Sequence, residues 1–333
     1  MTKNNHMKSY FSSAHTYNGL VNYSESVFEP TKFDKLYIVK GVFAHDFISI
    51  TAKKYSCECF INPVEPKKID AVIINKTAVI SGHIADFDDS QYPAVIIDLN
   101  NFCDQAILKQ HRAAIFQLTE KKREAFSLSQ KFLRSANELA EYILYLSKKY
   151  LNEGKLISAA DRILSKCPAN GLHSEHRFIS TVQGEELDTL EKEARKIICV
   201  SNEYFSGFHF MQYINEKSGG SRIICPDALN AERICAVYSK DEKVLFTLQS
   251  GKEKIYSEKH NYINMERFIS PELRKNHKQK LKFIKKMYNS IIGETAGFFD
   301  DLKEIDTELE KIYAAALDSG AQQKFAADFI KNL

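Results

Sequence analysis

The stretch KLYIVKGVFAHDFISITAKKY, residues 35–55, combines a predicted buried strand, a glycine-containing turn and a predicted helix. Leu36 to Val39 form a short apolar run typical of a buried strand, and a helical pattern follows Gly41. In α/β proteins, a strand, a glycine-containing turn and a helix in this order often hold a phosphate at the helix start. The stretch therefore predicts an α/β fold. It also raises the question of whether the turn is a nucleotide site.

The composition is that of an ordinary globular protein. The chain has 333 residues, of which 44% are hydrophobic and 27% charged, and this length favours two domains. A net charge of +3 does not favour nucleic-acid binding, since a phosphate-binding face usually shows a clear basic excess. Seven scattered cysteines indicate a reducing compartment and supply no metal motif. With no signal segment and no apolar run of about 18 residues, we expect a soluble cytoplasmic protein without a membrane span.

Three segments of the first half recur in the same order in the second half. The pairs are KLYIVKG (35–41) with KIICVSN (196–202), IDAVIINKTAVIS (69–81) with ICAVYSKDEKVLF (234–246), and NFCDQAILKQH (101–111) with RFISPELRKNH (267–277). Their spacing is nearly constant, which single chance matches would not give. The sequence therefore predicts a tandem duplication with domains at 1–168 and 169–333, divided where Pro and Gly residues cluster.

Each half has the same predicted plan of short apolar strands alternating with helices, followed by a long helical stretch. Such strands predict a parallel sheet covered by helices on both faces. The helical stretch from Asp104 to Leu151 contains neither Gly nor Pro. In the second half, Gly293 and Gly297 predict a bend or a two-helix hairpin. The expected fold class is two α/β parallel-sheet domains, each with a long helical hairpin or arm.

The turn of the first half lacks most of what a phosphate-binding loop needs. Such a loop uses several glycines, a lysine that reaches the terminal phosphates and a hydroxyl that binds Mg²⁺. The candidate positions here are Lys40, Gly41, His45, Asp46 and Ser49. Phe47 stands where the lysine is expected, and Asp46 adds a negative charge where the anion would lie. His45 and Asp46 are an alternative acid–base pair.

The turn of the second half shows a similar loss. Ser206 and Gly207 are its candidate positions, Phe208 occupies the lysine position, and Glu203 adds a carboxylate. Both turns therefore favour an inactive, packed turn over an altered ligand site. Asp98, at the end of the apolar strand PAVIIDLN (93–100), could suit Mg²⁺, but a helix-capping role is favoured.

The motifs FSSAHTYNG (11–19), LYIVKG (36–41) and IDAVIINKTAVISGH (69–83), with the long helices, resemble a bacterial family of tandem P-loop ATPase-like proteins. The resemblance covers nearly the whole chain and implies two P-loop NTPase halves. Only Lys40 and Gly41 match the family's phosphate loop, and both precede the residues whose backbone amides would surround the phosphate. The acidic residue that would end the later strand is replaced by Ser81 in the first half and by Phe246 in the second.

These observations predict a catalytically inactive, P-loop ATPase-like protein that acts as a binding or regulatory partner, either of another protein or through self-association. No catalytic residue, metal site or cofactor is expected. An NTPase or phosphotransferase that binds ATP and Mg²⁺ at an unconventional site is the first alternative. A nucleic-acid-binding module that uses the basic segment NHKQKLKFIKK (276–286) is the second.

Overall fold

A computed structural model describes residues 8–85, 93–165, 172–249 and 260–333. The strands are β1 (Lys8–Phe11), β2 (Ser13–Thr16), β3 (Gly19–Asn22), β4 (Lys35–Lys40), β5 (Glu58–Ile61), β6 (Ile69–Ile74), β7 (Thr77–Ser81), β8 (Ala94–Asp98), β9 (Leu172–His176), β10 (Lys196–Ser201), β11 (Gly220–Pro226), β12 (Ile234–Ser239), β13 (Val244–Gln249) and β14 (His260–Ile263). The helices are α1 (Ser24–Val27), α2 (Ala44–Ala52), α3 (Gln105–Gln110), α4 (Arg112–Lys149), α5 (Glu153–Leu164), α6 (Thr189–Glu193), α7 (Gly207–Lys217), α8 (Pro271–Ala316) and α9 (Ser319–Lys331).

Two six-stranded sheets share one topology. The first has the strand order β1-β5-β6-β7-β4-β8, and the second has the order β9-β11-β12-β13-β10-β14. Strand by strand, the second order repeats the first, which is the architecture that the internal repeat predicts. Strands β2 and β3 form a separate two-stranded sheet.

Both sheets are mixed, whereas the sequence predicted parallel ones. Strand β6 is antiparallel to β5 and β7, β12 is antiparallel to β11 and β13, and the remaining pairs are parallel. The reason is the short β6–β7 connection, in which Asn75 has a φ of 53°. Lys243 has the same φ just before β13. A tight turn can join only antiparallel neighbours, since a parallel pair needs a long crossover.

An apolar core lies between the first sheet and helix α2, which follows β4, and another lies between the second sheet and helix α7, which follows β10. On the first sheet, Ile48 of α2 is buried together with Val39, Val72 and Val79. On the second sheet, Phe210, Met211 and Ile214 of α7 lie in a core that includes Val200, Val237 and Phe246. Burial of one such side chain stabilises the fold by about 1.5–3 kcal/mol. The turn between β4 and α2 and the turn between β10 and α7 therefore each connect a buried strand to a helix that packs on the sheet.

The chain divides into two compact units. One contains residues 1–14, 20–129 and 296–333, and the other contains residues 15–19 and 130–295. Helices α4 and α8 each contribute residues to both units. Helix α9, from the end of the chain, packs in the core of the first sheet through Ala326. Helix α5 packs in the core of the second sheet through Leu156 and Ala160. Each sheet is therefore covered in part by a helix from the other half of the sequence.

The expected break at Gly293 and Gly297 is absent from the described residues of α8, which continues from Pro271 to Ala316. A glycine inside a helix costs only about 1 kcal/mol. The buried apolar residues of α8, among them Leu281 and Leu302, outweigh this cost. The helix ends instead before Asp318, whose carboxylate accepts a hydrogen bond from the amide of Ala321 and begins α9.

Within the described residues, no helix combines the length and the apolar character needed to cross a membrane.

Candidate functional site

The turn between β4 and α2 is closely packed. Gly41 has a φ of 113°, and a side chain at this position would lie 3.2 Å from the Cβ of Leu99 and 3.3 Å from the Oδ1 of Asn100. The carbonyl of Gly41 accepts a hydrogen bond from the amide of Ala44. Glycine is therefore needed here for close packing and for its backbone angle.

The position expected for a phosphate-binding lysine is part of the first core. Phe47 is buried, and its ring centroid lies 5.1 Å from that of Phe329 in α9. Phe43 is partly buried against the same core. On the same helix, Asp46 is exposed and Ser49 is half-buried. Phe47 therefore packs between the sheet and α9, and Asp46 faces solvent.

In the second turn, between β10 and α7, oxygen atoms of the turn itself accept hydrogen bonds from its backbone amides. The amide of Gly207 donates to the Oδ1 of Asn202 at 3.1 Å, and the amide of Phe205 donates to the carbonyl of Asn202. Both the amide and the hydroxyl of Ser206 donate to the carbonyl of Glu203. A phosphate would have to displace these acceptors. Phe208 is buried, with the guanidinium of Arg233 5.1 Å from its ring centroid.

A cluster of two imidazoles and a carboxylate lies beside the first turn. The Nδ1 of His45, in the first turn of α2, is 3.0 Å from the Oδ1 of Asp70 in β6. The Nε2 of His83, just after β7, is 3.4 Å from the same oxygen. The two imidazole rings meet edge to face with centroids 4.9 Å apart. One donor atom from each of the three residues lies within 4.8 Å of the others.

Asp70 is the buried centre of this cluster. Its side chain is 1% exposed, against 17% for His45 and 46% for His83. Burial acts to raise the pKa of the Asp70 carboxyl, but the two imidazoles outweigh it and hold that pKa well below its ordinary value. Its Oδ2 accepts a hydrogen bond from the hydroxyl of Ser12, and its Oδ1 accepts one from the side-chain amide Nδ2 of Asn62. The carboxylate is therefore ionised and fixed in orientation.

The two imidazoles differ in their other contacts. The Nδ1 of His83 is 2.6 Å from the hydroxyl of Ser81, which leaves its Nε2 directed toward Asp70. The Nδ1 of His45 is buried and makes no hydrogen bond within the described part of the chain, despite its short distance to Asp70. Three donor atoms thus converge, and one of them lacks a hydrogen bond. Such a set can bind a cation or transfer a proton.

The corresponding place in the second sheet has different chemistry. From the registers of the two sheets, Cys235 corresponds to Asp70 and Ile179 to Ser12. Leu248 corresponds to Ser81, which corrects the sequence pairing of Ser81 with Phe246. A cavity of about 360 Å³ lies here. Its lining includes Ile179, Phe208, Cys235, Leu248 and Tyr288. This cavity has an apolar wall where the first unit has the His–Asp–His cluster.

Of the residues predicted as loop candidates, the structure brings only His45 into the cluster. His45 faces Asp70, whereas the predicted partner Asp46 is exposed. Asp70 and His83 were missed. A signal for Asp70 was present, because it is a charged residue inside the apolar strand IDAVII.

Asp98 caps a helical turn, as the sequence favoured. Its carboxylate accepts a hydrogen bond from the amide of Asn100 at 2.9 Å. Asn264, its counterpart in the second half, accepts one from the amide of Glu266 at 3.0 Å. Asp98 is the last residue of edge strand β8 and Asn264 directly follows edge strand β14, and each begins a 3-10 turn. The capping prediction is therefore confirmed.

Comparison with known proteins gives no relative. No family model matches the chain, and neither a curated protein nor a solved structure matches it.

Proposed function

We propose that this protein is a P-loop ATPase-like protein that does not hydrolyse nucleotide and acts as a binding or regulatory partner. The observation that carries the proposal is the burial of Phe47 and Phe208, the residues at the two expected lysine positions. A phosphate-binding lysine must reach out of its helix start toward the terminal phosphates. A buried phenylalanine supplies neither the charge nor the reach.

The surroundings of both turns support the same proposal. The strand-end position that would hold a magnesium-binding carboxylate is Ser81 in the first sheet and Leu248 in the second. Without that carboxylate, Mg²⁺ loses a protein ligand, and the charge of a triphosphate is poorly compensated. The second turn also has its amides bound to Asn202 and Glu203.

The test is a calorimetric titration with Mg-ATP together with a phosphate-release assay. We expect no saturable binding up to about 1 mM nucleotide, and no phosphate release above the buffer rate. Binding tighter than about 100 μM with turnover would overturn the proposal. To locate any binding found, Lys40→Ala at the turn is compared with Lys53→Ala at the exposed end of α2. Loss of binding in Lys40→Ala alone would assign it to the first turn.

The partner is tested separately from the nucleotide. Light scattering over a hundredfold range of protein concentration measures the mass of the particle in solution. A mass that rises toward a multiple of 38.1 kDa indicates self-association. A mass that stays at the monomer value would indicate that the partner is a different protein.

A further inference from the structure

We propose that His45, Asp70 and His83 bind a divalent transition-metal ion, with Zn²⁺ as the best-suited probe. The inference does not depend on the inactive turns, because it rests on a different set of side chains. It is the one grouping of three His, Cys, Asp or Glu donor atoms found in the described part of the chain.

The distances between donor atoms suit a metal ion. Zinc binds imidazole nitrogen and carboxylate oxygen at about 2.0–2.2 Å. Two such donors at a tetrahedral angle are therefore about 3.3 Å apart. The Oδ1 of Asp70 is 3.0 Å from the Nδ1 of His45 and 3.4 Å from the Nε2 of His83. The two imidazole donors lie within 4.8 Å of each other, so a movement of the more exposed His83 ring toward His45 would bring all three donors to bonding distance of one ion.

The charge of the cluster also favours a cation. The side chain of Asp70 is 1% exposed, and its Oδ1 faces the imidazoles of both His45 and His83. A buried charge is costly unless a positive charge compensates it. The Nδ1 of His45 is buried without a hydrogen bond among the described residues, although it lies beside that carboxylate. A metal ion would satisfy this nitrogen and neutralise the carboxylate together.

Neighbouring side chains already orient the donors. A metal-bound histidine usually forms a hydrogen bond through its second nitrogen, which fixes the ring. The Nδ1 of His83 has such a contact with the hydroxyl of Ser81 at 2.6 Å. Ser12 and Asn62 donate to the two oxygens of Asp70. His83 and Asp70 are therefore pre-positioned before an ion enters.

The donor set selects the class of metal. Mg²⁺ and Ca²⁺ prefer oxygen ligands, whereas two imidazoles and one carboxylate suit zinc and related first-row ions. Three protein ligands leave at least one coordination position for water or a small ligand, as in catalytic zinc sites. His83 is 46% exposed, which gives an ion access from solvent.

One ion is expected per chain. In the second sheet, Cys235 and Ile179 stand at the positions of Asp70 and Ser12. Cys235 donates to two backbone carbonyls, and burial raises the pKa of its thiol well above the ordinary value. Within the described residues, Cys235 belongs to no grouping of three potential metal ligands.

The test is a zinc titration of the 333-residue chain in competition with a chromophoric chelator. We expect one equivalent of Zn²⁺ to bind with a Kd of about 1 μM or tighter. His83→Ala and Asp70→Asn should each weaken binding at least about 100-fold. Ser81→Ala, which removes only the orienting contact, should weaken it about 10-fold. The matched control is His111→Ala, which removes an exposed histidine far along the sequence from the cluster.

Wild-type affinity in His83→Ala would overturn the proposal, as would an absence of saturable binding up to about 100 μM Zn²⁺. Substitution with Co²⁺ adds a spectroscopic criterion. A thiolate-to-cobalt charge-transfer band would place the ion on cysteines such as the neighbouring pair Cys57 and Cys59, which also counts against the proposal. Should Asp70→Asn fail to fold, Ser81→Ala and His111→Ala still decide the outcome. The outcome of the Mg-ATP titration does not affect the interpretation of any of these zinc measurements.

Discussion

Asp70 and Cys235 occupy the same position in the two sheets. Asp70 lies on β6 opposite the irregularity between Phe60 and Ile61, and Cys235 lies on β12 opposite the irregularity between Cys225 and Pro226. One side chain is an ionised carboxylate with two imidazoles beside it, and the other is a neutral thiol that donates to backbone carbonyls. The same sheet topology therefore presents two different chemistries.

Zinc should stabilise the folded protein through the Asp70 cluster. Free ligand at 100 times its Kd adds about 2.7 kcal/mol to the free energy of unfolding. We expect the melting temperature to rise with saturating Zn²⁺ and to fall again after EDTA, as followed by circular dichroism. His83→Ala should show no such response. An equal rise in wild type and His83→Ala would place the stabilising ion elsewhere.

Phe47 should be a structural residue. Phe47→Ala removes a ring packed against Phe325 and Phe329 of α9 and leaves a cavity, which costs about 3–5 kcal/mol. Urea unfolding measures this loss. The control is Asp46→Ala, one residue away and exposed, which should change stability by less than about 0.5 kcal/mol. Small and equal effects in the two variants would contradict the assignment of Phe47 to the core.

Much of the architecture was predictable from local sequence. Apolar runs such as Leu36 to Val39 gave the strands, and the repeated order of segments predicted two sheets of one topology. The direction of β6 depended on the turn at Asn75, whose sequence signal is short. The sequence did not predict that α5 packs against the second sheet and α9 against the first. An amphipathic helix reveals that one face must be buried, but it does not specify which sheet will bury it.

The candidate site was predictable only in part. His45 was identified because it lies in the turn after β4, whereas Asp70 and His83 come from other strands. Their approach depends on the sheet order β6-β7-β4, which sets β7 between the strand of Asp70 and the strand that leads to His45. The spacing of these residues along the sequence does not predict which strands will be neighbours in the sheet. The buried carboxylate in an apolar strand was the available clue.

His209 should make stability depend on pH. Burial, aided by Lys148, lowers the pKa of His209 to about 4, although the Leu144 carbonyl and Glu153 act in the opposite direction. The unfolded chain, with a pKa near 6.5 for this group, therefore binds more protons between pH 6.5 and 4. The contribution of neutral His209 to the free energy of unfolding is therefore complete above pH 6.5. It falls as the pH drops, by at most about 1.4 kcal/mol per pH unit.

Urea unfolding of wild type and His209→Gln at pH 7, 6 and 5 measures this contribution. The stability advantage of wild type over the variant should shrink from pH 7 to pH 5. A difference that is constant over this range would contradict a lowered pKa in the folded state. Glutamine is chosen because its side-chain amide can hydrogen-bond to the hydroxyl of Ser147, which lies 3.0 Å from the Nε2 of His209 in the wild type.

Two glycine-to-alanine substitutions should change stability in opposite directions. At Gly207, a Cβ would lie 2.6 Å from a methyl of Leu248 and 2.8 Å from the carbonyl oxygen of Ser201, and the backbone oxygen cannot easily move. We expect Gly207→Ala to destabilise the fold by about 1–3 kcal/mol. At Gly293, inside α8, a Cβ meets nothing within 4 Å, so Gly293→Ala should stabilise it by about 0.5–1 kcal/mol. Urea unfolding of both variants measures the two changes, and a destabilised Gly293→Ala would contradict a continuous helix through that position.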